Sequence, residues 1–406
     1  MSTLSIVNGL VFDGESDTLS EATVHVVDGR IAAVDPDAPK KADRVIDARG
    51  RTVLPGLIDA HCHAYGFELD MMAGESRPLS YVALAAARRL EGALARGFTT
   101  VRDPAGGDAG LARAIAEGLL AAPRYLWLGP ALSQTGGHGD PRSADGDICA
   151  YHHHSTEVVD GVDNLRVAVR DRLRRGAHAI KIMTSGGVIS LTDPIRVPQY
   201  SAEEIRAVTE EATRRGSYVA AHSYSPESVR HSVENGVRSI EHGNLLDAPT
   251  ARIMADAGAF LVPTLAAYDA MARRGAEIGM AAVSRQKNDE VLEAGRKAIE
   301  LARAAGVRVG FGTDLMGILE EEQLVGLRLQ TEVDGPLLTL RSATSVNADL
   351  IGRPDLGRVR EGGAADLLII DGNPLEDPSP LWAGPRTVVL AGAVLPGDGL
   401  PLREVA

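Results

Sequence analysis

Two histidines one residue apart, His61 and His63 in GLIDAHCH, close the first apolar run of the long middle section of this chain. On a strand, residues i and i+2 point the same way. Both imidazoles would then face one side, with Cys62 turned into packing on the other. A His-x-His pair so placed is a two-pronged clamp for a metal ion. Further candidates stand at comparable places. Lys181 lies inside the apolar run AIKIM, His222 ends YVAAHS, His242 ends RSIEHG, and Asp314 ends GFGTD. The six candidate ligands are His61, His63, Lys181, His222, His242 and Asp314, all near strand ends and none in a helix interior. Imidazole and carboxylate donors suit Zn²⁺, with Mn²⁺, Co²⁺ or Fe²⁺ as alternatives.

Lys181 is the unexpected member. Of 42 Lys plus Arg residues only five are lysine: Lys40, Lys41, Lys181, Lys287 and Lys297. A protonated ammonium cannot ligate a metal, and burying it unpaired is costly. Desolvation and a nearby cation lower its pKa and favour the neutral amine. A neutral amine adds CO₂ to give a carbamate, a carboxylate-like group able to bridge two divalent ions. Arginine cannot do this, because its guanidinium stays protonated. The choice of lysine in an arginine-rich chain is therefore consistent with two metal ions joined by carboxylated Lys181.

The elements needed to position these groups are visible in the patterning. Residues 1–55 alternate apolar and polar in short runs broken by Asn-Gly, Asp-Gly and Arg-Gly, which predicts a meander of hairpins. The C-terminal runs ADLLIIDGNPL and RTVVLAGAVLPG have the same character. One small β-sandwich domain built from both termini is expected, 1–55 plus 356–406, with 56–355 inserted as a unit of its own. That middle alternates strand-like and helical runs: GLIDAHCH, FTTVRD, RYLWLGPAL, AIKIM, YVAAHS, RSIEHG, AFLVPTL and VRVGFGTD, with helices such as SAEEIRAVTEEATRRG, N-capped by Ser201, between them. Eight strand candidates predict an α/β fold of the (β/α)8 TIM-barrel type, whose function gathers at the C-terminal strand ends. A doubly wound sheet is the alternative, weakened because no glycine-rich phosphate turn opens the first unit.

Bulk properties exclude several classes. The 406 residues carry a net charge of −13 with no basic stripe, which argues against a nucleic-acid partner. No run approaches the length of ~18 apolar residues that a spanning helix requires, so no membrane partner is expected. The N-terminus lacks the basic-then-apolar pattern of a signal peptide, and two cysteines, Cys62 and Cys149, form no disulfide framework. A cytoplasmic enzyme of a small-molecule substrate is the expectation.

The motifs GLIDAHCH, TGGHGD, IKIMTSGGV, AAHSY and GVRSIEHGNLLD, with GTD near the end, resemble the amidohydrolase superfamily, and its prolidase-like and imidazolonepropionase-like branch in particular. The resemblance spans essentially the whole chain. It implies that His61 and His63 hold a more buried ion, that His222 and His242 hold a more exposed one, and that the Lys181 carbamate bridges them. It also implies that Asp314 touches the buried ion and moves the proton of an attacking hydroxide to the leaving amine. His138 of TGGHGD is implied as donor to the substrate carbonyl, and Tyr224 of HSY as a substrate contact. Relatives are commonly oligomeric, so a homo-oligomer is implied too. The expected reaction is hydrolysis of an amide-type C–N bond in a dipeptide ending in a carboxylate, an N-acyl amino acid, or a xenobiotic amide, urea or carbamate. The alternatives are a lactonase, esterase or phosphotriesterase, an imidazolone-type cyclic amide hydrolase, or a non-enzymatic scaffold, which the intact ligand set disfavours.

The remaining features are blander. Adjacent histidines in YHHHST (151–156) cannot all face one centre and read as a lid-loop patch. His231 reads as an exposed helix residue. LEEEQ (319–323) reads as a solvated helix start. MTSGGV is either a backbone approach to substrate or a tight turn. Substrate shape is expected from the loops 64–80, 139–160 and 264–285.

Overall fold

The computed structural model describes residues 2–70, 73–74, 76–142, 154–190, 193–395 and 403–404. The terminal strands are β1 (Thr3–Val11), β2 (Ser20–Val27), β3 (Arg30–Asp35), β4 (Arg44–Asp47) and β5 (Thr52–Pro55). Asp28 and Gly29, with φ of 48° and 76°, form the two-residue turn between β2 and β3. Positive φ at both positions is what a type I′ hairpin demands. The meander stops at β3, however. β4 and β5 both pair in parallel with β1, each along a different half of it. Asn8-Gly9 is not a turn: it interrupts the β1–β2 register as a bulge, with Asn8 at φ 56°. A bulge bends its strand, and here β1 changes partner from β4 to β5 across that point.

The middle section supplies β6 (Leu57–Asp59), β7 (Phe98–Asp103), β8 (Arg124–Trp127), β9 (Ala131–Ser133), β10 (Thr156–Val158), β11 (Ile180–Met183), β12 (Val219–Ser223), β13 (Ser239–His242), β14 (Phe260–Val262) and β15 (Arg308–Val309). All pair in parallel, as two sheets: β6-β7-β8 and β10-β9-β11-β12-β13-β14-β15. Backbone bonds bridge the two at both flanks, Ala60 N to Phe311 O at 3.0 Å and His178 N to Trp127 O at 2.9 Å. The third strand expected from RYLWLGPAL splits into β8 and β9 at Gly129-Pro130. Gly129 takes φ 77° and Pro130 has no N–H for a ladder.

The chain then returns to the first sheet through β16 (Leu367–Ile370), β17 (Arg386–Leu390), β18 (Ala393–Val394) and β19 (Arg403–Glu404). β16 lies antiparallel to β5, so both ends of the chain share one nine-stranded sheet. Hydrogen bonding thus shows one branched sheet through β1, and a sandwich of two separate sheets is not what the ladders define.

Helices separate the parallel strands as the periodicity predicts. Ala202–Arg214 carries a complete capping box from Ser201 and Glu204, and Pro226–Glu234 one from Ser225 and Ser228. Along β11, Ile180 and Ile182 pack outward against Ile205 and Val208 of the covering helix. Lys181 and Met183, the alternate residues, line an interior cavity. Full burial of each such Ile or Val contributes about 1.5–3 kcal/mol, which fixes the strand register and so the side on which the lysine appears.

Candidate active site

One cavity of about 860 Å³, counted out to its open mouth, is lined by His61, His63, Lys181, His222, His242 and Asp314 together with His138 and Tyr224. All eight residues singled out from the sequence therefore converge. Ligand atoms of His61, His242 and Asp314 lie within 4.8 Å of one another. Asp314 Oδ1 is 2.8 Å from His63 Nε2 and 3.3 Å from His61 Nε2.

The orientation of the four imidazoles tests whether this set fits divalent cations. Each has one ring nitrogen held by an oxygen. His61 Nδ1 lies 2.7 Å from Glu241 Oε2, His63 Nδ1 3.3 Å from Ala105 O, His222 Nε2 3.1 Å from Gly186 O, and His242 Nδ1 2.8 Å from Thr264 Oγ1. Such partners fix the tautomer and leave the other nitrogen as a ligand, the usual support of a metal-binding histidine. The donor set fits. His61, His63 and Asp314 would hold one ion, and His222 and His242 another, with Lys181 between them.

The inner wall rests on ionic groups that the strand pattern did not reveal. Glu241 is fully buried and accepts from Arg102 Nη2 at 2.7 Å, Ser239 Oγ at 2.6 Å and His61. Burial alone would raise its pKa, yet Arg102 and His61 hold it well below the usual carboxylate range. Asp59 accepts from Thr313 Oγ1, Gln323 Nε2 and the amide of His61. Arg89, also buried, donates to the carbonyls of His63, Leu315 and Gly317, tying the loop after β6 to the one that carries Asp314. Two candidate ligands sit at positive φ, His242 at 75° and Asp314 at 55°. That conformation is sparsely populated without glycine. At His242 it breaks strand alternation, so that Glu241 and His242 both reach the interior.

Electrostatics sort the site. Lys181 is 2% exposed. Burial lowers its pKa to about 8, against the opposing pull of Glu241 and Asp314. Burial would raise Asp314, but the His61 charge and hydrogen bonds from His61 and His63 hold it far below the carboxylate norm. His63 is raised to about 9: burial works against this, and the carboxylates of Asp103 and Asp314 outweigh it. Burial lowers His222 and His242 well below the normal histidine value.

On the outer wall the nearest side-chain partners of His138 and Tyr224 are neutral. His138 stacks on His222 with ring centroids 4.1 Å apart and places Nδ1 2.8 Å from Ser190 Oγ. Tyr224 lies just past the end of β12, stacked on His242 at 5.2 Å. Its hydroxyl meets that of Tyr268 at 2.7 Å, and Thr264 Oγ1 donates to Tyr268 at 3.2 Å. Cys62 packs away from the cavity with Leu90 and Val101, although β6 ends at Asp59 and residues 61–63 lie beyond the strand on which alternation was expected.

Other expectations are corrected. Glu320 is not simply solvated but pairs with Arg96, and Glu322 pairs with Arg273 and Arg274. These arginines lie on distant helices, which a local reading of LEEEQ could not see. His231 is half-buried, with Nε2 3.0 Å from Tyr200 O. His152 and His153 lie outside the described residues, while His154 sits edge-on to Tyr65 at 6.3 Å. Among the described residues, no helix is long and apolar enough to cross a membrane.

The Amidohydrolase family profile matches residues 52–395, and the chain belongs to that family. It is a hydrolase acting on carbon–nitrogen bonds, and its relatives imply a (β/α)8 TIM-barrel fold. Ochratoxinase of Aspergillus niger is 32% identical over 406 residues, covering 92% of this chain and 82% of that protein. A prolidase solved in complex with N-methylphosphonate-L-proline superposes with a TM-score of 0.95 at 41% identity, over 98% of this chain and 100% of the other. A Xaa-Pro dipeptidase with methionine in its active site superposes at 0.87 with 30% identity, over 98% and 100%.

Proposed function

We propose that this chain hydrolyses the amide bond of small substrates that end in a free carboxylate, dipeptides or N-acyl amino acids with an uncharged side chain. Two divalent ions, Zn²⁺ first, would be held by His61, His63, His222, His242 and Asp314 and joined by carboxylated Lys181. The observation that carries this reading is the orientation of the four imidazoles, each with one nitrogen tied to an oxygen outside the proposed ligand set. Ochratoxinase, the prolidase with its phosphonate-L-proline and the dipeptidase with methionine support the substrate class.

Divalent ions in such a site supply Lewis acidity toward a carbonyl and acidify a water toward neutral pH. The chain's own groups account for the rest. Among the described residues, no hydrogen-bond partner holds the Lys181 amine. Its neutral form adds to the carbon of CO₂, making one N–C bond and releasing one proton. Asp314, ionised throughout the neutral range, accepts a proton from the attacking water and returns it to the departing nitrogen. His138 stays neutral because burial lowers its pKa, with Asp193 opposing the shift and Lys287 adding to it. Ser190 Oγ lies 2.8 Å from its Nδ1 and donates to Gly187 O at 3.3 Å. Turning the serine proton to the ring would leave Nε2–H of His138 as the donor to the substrate carbonyl. The chain of donors from His242 through Thr264 and Tyr268 ends at the Tyr224 oxygen, which frees the Tyr224 proton for the substrate carboxylate.

Met183, Val188, Ile189, Met271 and Met316 line the cavity, and among its described lining Lys181 is the single Lys or Arg. A charged side chain would lose hydration against these apolar groups. The test is turnover by metal-loaded enzyme across dipeptides, N-acyl amino acids, their carboxyl esters, arylureas and carbamates. Highest kcat/KM on apolar N-acyl amino acids or dipeptides is expected. Turnover restricted to esters, ureas or carbamates without a free carboxylate would overturn the substrate class.

A further inference from the structure

The outer wall depends on a second rare lysine. Lys287, near the start of helix Ala282–Ala305, sends Nζ to three main-chain carbonyls: Gly187 at 2.9 Å, Ser190 at 2.8 Å and Asp193 at 2.8 Å. An ammonium has three N–H bonds, and here all are spent on one loop. Ser284, one turn earlier on the same helix, donates to Ile189 O at 3.2 Å. Asp193 Oδ1 lies 4.0 Å from Nζ, is buried and accepts no hydrogen bond.

That loop is the mount of the outer histidines. Ser190 Oγ holds His138 Nδ1, and Gly186 O holds His222 Nε2. Asp193 Oδ2 accepts from Gly187 N at 3.1 Å and Gln199 Nε2 at 3.2 Å, and Gln199 Oε1 accepts from His138 N at 3.1 Å. The contact has no slack: a Cβ on Gly187 would fall 2.0 Å from His138 Cε1. Any shift of Gly187 therefore moves the ring, and Gly187 O is one of the three carbonyls that Lys287 grips. Arginine does not replace lysine here, because a planar fork cannot converge on three carbonyls around one point as a compact ammonium can.

We propose that Lys287 is a positioning residue for hydrolysis: its ammonium fixes residues 186–190 and Asp193 and thereby the imidazole of His138 that receives the substrate carbonyl. The proposal rests on the role assigned above to His138. Lys287 touches no substrate and acts only through the loop.

The test uses Lys287→Ala and Lys287→Met in the full-length, metal-loaded protein. A misplacement of about 1 Å at a catalytic group can cost ~10²-fold in rate, so kcat should fall by about that factor while KM moves little and metal content per chain is unchanged. Amide hydrogen exchange in 186–190 should rise in both variants, with β11 and β12 unaffected. Methylammonium should restore Lys287→Ala saturably, because it fits the vacated ring of carbonyls. It should not restore Lys287→Met, whose side chain fills that space. If Lys287→Ala precipitates, Lys287→Met carries the kinetic and exchange arms alone. Wild-type kcat in the variants, unchanged loop exchange, or a rate loss that tracks metal loss would overturn the proposal. The exchange arm needs no substrate. A wild-type enzyme inactive on every carboxylate-bearing amide would therefore overturn the functional reading while the clamp is still judged by exchange.

Discussion

The inner and outer walls of the cavity carry candidate ligands on different immediate supports. His61, His63 and Asp314 lean on buried ions: Glu241 with Arg102, Asp59 with Thr313 and Gln323, and Arg89 across three carbonyls. His138, His222 and Tyr224 lean on loop carbonyls and hydroxyls: Gly186 O, Ser190 Oγ and Tyr268 Oη. Desolvated ion pairs are strongly destabilised when one partner is lost, whereas a neutral hydrogen bond contributes only about 0.5–1.5 kcal/mol. The inner wall is thus built to hold one geometry. The outer wall stands on loops, which can vary between relatives without disturbing the strands beneath.

That contrast ranks the expected effects. Asp314→Asn removes the proton carrier of the inner wall and should lower kcat by about 10³-fold, with metal content per chain nearly unchanged by elemental analysis. Near-normal turnover would take Asp314 out of that role. Glu241→Gln leaves Arg102 without its buried counter-charge and His61 without its carboxylate. Metal affinity should fall about 10–100-fold, read by chelator competition, and the thermal midpoint should drop as well. Loss of a single hydroxyl on the outer wall should do much less. Tyr268→Phe interrupts the donor chain to Tyr224 and should reduce kcat/KM roughly five- to tenfold, mostly through KM for carboxylate-bearing substrates. A larger loss than in Glu241→Gln would reverse the ranking of the two walls.

The opposite ends of the same strands supply the smallest effect. Burial lowers His178 to about 4, with a hydrogen bond to Ile351 O opposing the shift. The unfolded imidazole titrates near its ordinary value of about 6.5. Between those values the unfolded chain binds a proton that the folded chain refuses. Stability from this group is therefore full above about 6.5 and is lost as pH falls toward 4. In metal-free protein, His178→Gln should flatten the decline of the urea midpoint across that window. An unchanged slope would assign the decline to other groups.

The candidate ligands that line the cavity were legible because each lies in or shortly after an apolar strand run, where residue type and position coincide. Lys181 stood out because the chain spends so few lysines. Their supports were not legible. Glu241 adjoins His242, and alternation assigns neighbours to opposite faces. The positive φ at His242 brings both inside, and nothing in SIEHGN announces it. Nothing in FTTVRD marks Arg102 as a support, since its partners Ser239 and Glu241 lie on another strand. Lys287 reads as a surface residue of a helix, because the three carbonyls it binds come from a loop about a hundred residues earlier. Asn8-Gly9 misled in the other direction: its turn chemistry serves a bulge. Local patterns thus reported what each segment is, and long-range pairing decided what supports it.

The central claim is that two divalent ions share a carboxylated Lys181. Anomalous diffraction from a metal-replete crystal grown with bicarbonate tests it most directly. The account predicts two scatterers, one beside His61, His63 and Asp314 and the other beside His222 and His242, with planar density extending from the Lys181 amine between them. A single scatterer next to an unmodified Lys181 amine would contradict it.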